Sequence, residues 1–146
     1  VARVFTLAEK NKKLEAREYQ AGIEEIVAEN WQEYQQAMEQ LEFDKAIGKT
    51  WELLAWCDSY IEMNKPWELA KKDPEKLAEV LLSLVETIRH IAWQLYPIMP
   101  ETAEKILKAL GVLELEENTN FATLQEWGRI KNFSEVKKPD VLFPRL

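Results

Sequence analysis

The sequence predicts an all-α fold, an antiparallel helix bundle of about five helices closed by an extended C-terminal segment. Three observations carry that expectation. Helix formers (Ala, Leu, Glu, Lys, Gln) dominate, with only four glycines and six prolines, too few for the frequent turns of a β protein. Apolar residues recur at three and four positions along most of the chain. Every proline falls at the edge of such a periodic stretch, so local stop signals and the global pattern agree. At 146 residues, 47% hydrophobic and 31% charged, the chain has the size of one domain with its own core, taken as residues 1–146.

The opening VARVFTLAEK lacks a methionine and is already in helical register, with Val4, Leu7 and Ala8 on one face. It reads as the truncated first helix of a domain cut from a longer protein, ended by the basic KNKK. Ile23, Ile26, Val27, Trp31, Tyr34, Met38 and Leu41 form the apolar stripe of a second helix with an acidic back. From Phe43 to Met63 the pattern continues through Ala46, Ile47, Leu53, Leu54, Cys57 and Ile61.

Pro66 has no N–H and disfavours helix in the residue before it, so this third helix is expected to end near Asn64 and Lys65. Proline suits a first helical position, which lets WELAKK start a short new turn beside Trp67. Asp73 reads as the N-cap of a long helix entered through Pro74 and carrying Leu77, Val80, Leu81, Leu84, Val85, Ile88, Ile91 and Leu95. Pro97 and Pro100 end it. Glu101 to Leu110 form one more helix, with Gly111 at the stop position. After the acidic ELEEN comes a tail, from about residue 118 to 146, whose Trp127, Phe133 and closing PDVLFPRL are expected to dock in grooves of the bundle.

Composition narrows the chemistry. A net charge of −7 argues against indiscriminate nucleic-acid binding. Its distribution is uneven: no Lys or Arg lies between Tyr19 and Phe43, where Glu24, Glu25, Glu29, Glu33, Glu39 and Glu42 cluster, whereas Arg3, Lys10, Lys12, Lys13 and Arg17 make the opening basic. One cysteine, Cys57, and one histidine, His90, rule out an internal disulfide and a Cys/His zinc cluster. Cys57 reads as a buried thiol and His90 as a surface or boundary histidine rather than as a nucleophile and base. Neighbouring glutamates such as Glu24 and Glu25 point apart on a helix, and no glycine-rich phosphate loop exists. Neither a signal peptide nor a membrane-length apolar run occurs, so the expectation is a soluble protein of a reducing, cytoplasmic compartment with no membrane partner.

The stretch NKPWELAKK, Asn64 to Lys72, is the candidate binding feature. Single-stranded RNA loops are read by stacking bases on aromatic rings, each stack contributing roughly 1–3 kcal/mol. Pro66 restricts the backbone before Trp67, and Lys65, Lys71 and Lys72 are placed to approach phosphates. The competing reading is that Trp67 plugs the end of the bundle; the other five tryptophans are mostly at core spacing. Lys45 and Lys49, four apart, are most simply a solvated face, with phosphate contact as the alternative.

LYPIMPETAEKI (Leu95 to Ile106) resembles the segment closing the helical anticodon-binding domain of class I aminoacyl-tRNA synthetases that act on methionine and the branched aliphatic amino acids. With EFDKAI (Glu42 to Ile47), Tyr60, KPWELAK (Lys65 to Lys71) and LFPRL (Leu142 to Leu146), the chain is similar over nearly its whole length to the methionyl-tRNA synthetase family. The resemblance implies that Trp67 stacks on an anticodon base of the methionine tRNA. It also implies that Arg3 reads anticodon bases from the first helix and that Glu62 disfavours wrong anticodons by repulsion. The family's asparagine one turn before that arginine would precede Val1.

The family's catalytic signatures, a His-x-Gly-His pair and a Lys-Met-Ser-Lys-Ser loop, are missing. The resemblance therefore implies a parent ligase that esterifies methionine to tRNA with ATP, with zinc in its catalytic region, and a fragment that holds no catalytic site and no cofactor. Its partners would be the anticodon loop and the catalytic domain of the same polypeptide. Two alternatives use the same residues: the equivalent domain of another class I synthetase, or a helical protein-interaction module without RNA binding, which suits the acidity.

Overall fold

Helix α1, Ile23–Glu39, starts from Gly22, whose φ of 88° is a left-handed value that glycine adopts without a Cβ clash. The computed structural model describes residues 19, 22–111 and 121–127, the side chains of Trp67, Ala70, Phe121 and Ala122 excepted. The opening helix, Arg3, Phe133 and LFPRL lie outside the described residues. α2, Phe43–Asn64, and α3, Pro66–Lys72, follow. Then come α4, Pro74–Leu95, α5, Pro100–Leu110, and the single turn α6, Phe121–Leu124. The fold is all-α.

The stop signals act where the sequence places them. Pro66, Pro74 and Pro100 each open a helix, where the absent N–H has no intrahelical partner to lose. The Asp73 carboxylate accepts from the Lys76 amide at 3.3 Å, and Gly111 closes α5 at φ 79°. Hydrogen bonds that advance together along α1 and α4 show that these two helices run parallel, and both cross α2 near Lys49 and Thr50. Trp31 meets His90 and Tyr34 meets Gln94, while Asn30 of α1 and Gln94 of α4 meet Lys49 and Thr50 of α2.

α4 is the central element and packs on α1, α2, α3 and α5. Every residue from Val80 to Leu95 is buried, polar ones included. Gln94 Nε2 donates to Asn30 Oδ1 at 2.6 Å, and Thr50 Oγ1 donates to Gln94 Oε1 at 2.9 Å. One turn back, Trp31 Nε1 donates to His90 Nδ1 at 2.8 Å. That bond leaves Nε2 as the protonated nitrogen, facing Glu86 Oε1 at 3.2 Å. Arg89 Nη2 pairs with Glu86 Oε1 at 2.7 Å, and its guanidinium donates to the carbonyls of Leu124 and Glu126, each at 2.7 Å. Trp127 then stacks on His90 with centroids 5.7 Å apart and 17° between planes.

His90 is therefore a core residue, not the surface or boundary histidine expected from its neighbours. Burial holds it below the usual imidazole range, against the pull of Glu86. Burial also raises the Glu86 carboxyl, but hydrogen bonds from His90 and Arg89 outweigh that and hold it at about 2. Cys57 is buried as expected, and burial pushes its thiol up to about 12. Trp31 and Trp93 lie in the core and Trp56 and Trp127 are half-buried, but Trp51 is exposed. Ile26 and Leu41 also leave the expected stripe: Ile26 is 40% exposed, and Leu41 is 73% exposed at φ 60°, just past the end of α1.

Candidate nucleic-acid interface

Helices α2, α3 and α4 are joined by one residue each, Lys65 and Asp73. Lys65 closes α2 by donating its amide to the Ile61 carbonyl at 3.0 Å and opens α3 by accepting from the amides of Glu68, at 2.9 Å, and Leu69, at 3.2 Å. Asp73 repeats the arrangement, donating to Leu69 at 2.8 Å and accepting from Leu77 at 3.1 Å. Such a chain of shared caps leaves no slack loop, so the direction of α3 is fixed relative to both long helices.

Lys65 adopts φ 44° and ψ 66°. A left-handed conformation costs an ordinary L-residue about 1–2 kcal/mol, and a following proline disfavours anything but extended backbone there. Asn64, a residue type that tolerates this region better, instead folds its side chain back to donate to the Tyr60 carbonyl at 2.9 Å. No sequence signal marks Lys65 as left-handed, because glycine or asparagine is what that conformation ordinarily selects.

The break is populated by exposed polar residues. Glu62, Lys65, Glu68, Lys71 and Lys72 are exposed, Pro66 is buried against the bundle, and Met63 is 81% exposed. The structure thus gathers Glu62, Lys65 and Pro66 within one turn and sets the backbone of Trp67 second in α3. Whether the Trp67 ring is displayed or plugged lies outside the described atoms, as does Arg3. Met63 was not anticipated; its only signal is a methionine off the apolar stripe of α2.

The second lysine pair behaves differently. Lys45 contacts Glu42 at 2.7 Å, and Lys49 reaches Glu33 at 3.1 Å and Glu52 at 3.3 Å. Hydrogen bonds to these carboxylates raise both ammonium pKa values. These cations already have anionic partners within the domain, which favours the solvated-face reading over phosphate contact. The glutamates Glu24, Glu25, Glu29, Glu33 and Glu39 are exposed along α1. Among the described residues no group of His, Cys, Asp and Glu is placed to hold a metal, and no helix is long and apolar enough to cross a membrane.

Residues 11–146 match the family model of the anticodon binding domain of methionyl tRNA ligase. Among relatives, the chain is 34% identical over 123 residues to a methionine–tRNA ligase of Caldanaerobacter subterraneus subsp. tengcongensis, covering 82% of this chain and 19% of that protein. It is 33% identical over 132 residues to the Bacillus subtilis ligase, with coverage of 88% and 19%. For the Rickettsia felis ligase the identity is 37% over 108 residues, with coverage of 74% and 21%. The chain spans about a fifth of the length of the curated relatives it matches.

Proposed function

Since the chain belongs to the family of methionyl-tRNA ligase anticodon-binding domains, we propose that residues 1–146 act as one domain that reads the anticodon loop of the methionine tRNA at the α2–α3 junction. Trp67 supplies a stacking face for an anticodon base, and Arg3 donates to base edges with its planar guanidinium. Lys65 meets the loop backbone, Pro66 fixes the direction from which the indole is offered, and the Glu62 carboxylate repels loops that bring phosphate or acceptor atoms too close. The observation that carries this reading is Lys65 held left-handed at φ 44° between two helices joined without a loop, strain of the kind that collects where a surface is presented.

The rest of the polypeptide would contain the catalytic domain, which esterifies methionine to that tRNA with ATP in the cytoplasm. ATP and zinc are both assigned to that remainder. The acidic outer face of α1 turns RNA away from the side of the bundle, so docking is directed to one end.

An NMR titration of the labelled chain with a methionine anticodon stem-loop, against a loop of scrambled anticodon, tests the proposal. The Trp67 indole signal is expected to move with the matching loop alone. Equal shifts with both loops, or none while the domain is folded, would overturn it.

A further inference from the structure

The large apolar side chain left most exposed among the described residues is Met63, at 81%. Its exposure has a geometric cause. Ile26 of α1 shares a notch with Leu53 and Trp56 of α2, and further along α1 Gln36 and Gln40 share one with Glu42 and Lys45. Going back along α1 is therefore going forward along α2. α1 runs out at Ile23, one turn past the notch at Trp56, whereas Met63 lies two turns past Trp56 on the same face of α2, about 10 Å further on. α1 ends before it can cover this side chain.

The side chain is free, but its backbone is not. Asn64 donates to the Tyr60 carbonyl at 2.9 Å and the Lys65 amide donates to the Ile61 carbonyl at 3.0 Å, which holds the last turn of α2 in place. Tyr60, one turn back on the same face, lies against Trp56, with ring centroids 5.0 Å apart and 19° between planes. The next most exposed apolar side chains, Leu41 and Phe43, sit at the opposite end of α2, roughly 30 Å away. Met63 is thus an apolar group presented by a fixed turn, close in sequence to Lys65 and Trp67. An uncharged thioether offers nothing to a phosphate. It offers a polarisable contact to the face of an aromatic ring, and its three rotatable bonds let it follow that face.

Resting on the reading that an anticodon loop docks at this junction, we propose that Met63 is a further RNA-contacting residue, an apolar shelf for a second unstacked base beside the one taken by Trp67. Every base has a π-face, so the contact tolerates any sequence. Met63 therefore adds affinity for an opened loop and leaves the choice among bases to the groups that read their edges.

The test is an NMR titration of the 146-residue chain, labelled at its methionine methyls, with the methionine anticodon stem-loop. The other two methionines, Met38 and Met99, are half-buried against the core and serve as internal references. The Met63 methyl is expected to shift upfield under the ring current of the base, together with the Trp67 indole, while both references stay in place. Met63→Ala should weaken the stem-loop about two- to tenfold with the melting temperature unchanged. Met63→Leu, which keeps an apolar contact, should recover part of that loss. A blunt duplex of the same stem should leave the methyl where it is. If the Trp67 signal moves and the Met63 methyl does not, or if Met63→Ala binds as tightly as the parent chain, the shelf is overturned and the reading of the junction stands. If neither signal moves, both fall. A methyl shift of equal size with the blunt duplex would mean contact with the stem backbone and would also overturn the shelf.

Discussion

In the middle of α4 the backbone is regular and the side chains are costly, since Glu86, Arg89 and His90 are fully buried. At the α2–α3 junction the side chains are ordinary exposed lysines and glutamates, and the backbone is costly at Lys65. Desolvating charges is offset only where partners are complete. In α4 they are: Arg89 satisfies Glu86 and two carbonyls of the distant segment at Leu124 and Glu126. That network specifies how pieces of chain dock. At the junction the left-handed Lys65 fixes the direction in which α3 leaves α2. The costly side chains of α4 thus hold distant pieces of chain together, whereas the costly backbone at Lys65 sets the direction of a short helix.

The largest expected effect comes from breaking the first region. Arg89→Met strands the Glu86 carboxylate and two carbonyls and should cost about 3–5 kcal/mol in urea unfolding. A loss under about 1 kcal/mol would mean that water or neighbouring donors replace the guanidinium. Acid should do similar damage in two stages. Both His90 and Glu86 are depressed in the folded state, so the unfolded chain binds more protons and stability falls as pH falls. The decline begins below the imidazole value of 6.5 through His90, and then runs from 4.5 toward about 2 through Glu86. The carboxylate stage is worth on the order of 3 kcal/mol. Urea midpoints at about pH 7.5, 5.5 and 3.5 check this, and His90→Gln should remove the first stage and, by disturbing the bond that helps hold Glu86 down, shrink the second.

At the junction the effects are on binding. Trp67→Ala should weaken the matching stem-loop by about 1–3 kcal/mol, roughly five- to 150-fold in Kd, with little change in unfolding. A stability loss of about 3–5 kcal/mol instead would place the ring in the core. The smallest effect is Lys65→Gly, which relieves the left-handed strain and should stabilise the chain by about 0.5–1 kcal/mol while weakening stem-loop binding. Destabilisation would show that the lysine side chain holds the junction together.

Helix ends were legible in the sequence because their determinants are local. Pro66, Asp73, Pro74 and Gly111 act within a turn of themselves, and each marks a boundary in the structure. His90 was misread because its decisive partner, Trp31, is 59 positions away. A signal was nonetheless present: Glu86, Arg89, His90 and Gln94 share one side of α4 at spacings of three and four. A run of mixed charges and amides on an otherwise apolar helix can face a core network as well as solvent. At the candidate site the helix break was legible at Pro66 and Lys65, whereas the conformation of Lys65 follows from tertiary geometry that no residue type there announces.

Cys57 gives the molecule a clock. It is the only cysteine, 2% exposed near the middle of α2, with its thiol pushed up to about 12. A thiol reagent needs both access and the thiolate, so modification waits for the bundle to open. With reclosing fast, the labelling rate follows the population of open molecules, and with reagent in excess it approaches the opening rate itself. One unmodified side chain therefore times how often the bundle opens around α2, without an added dye or an engineered site.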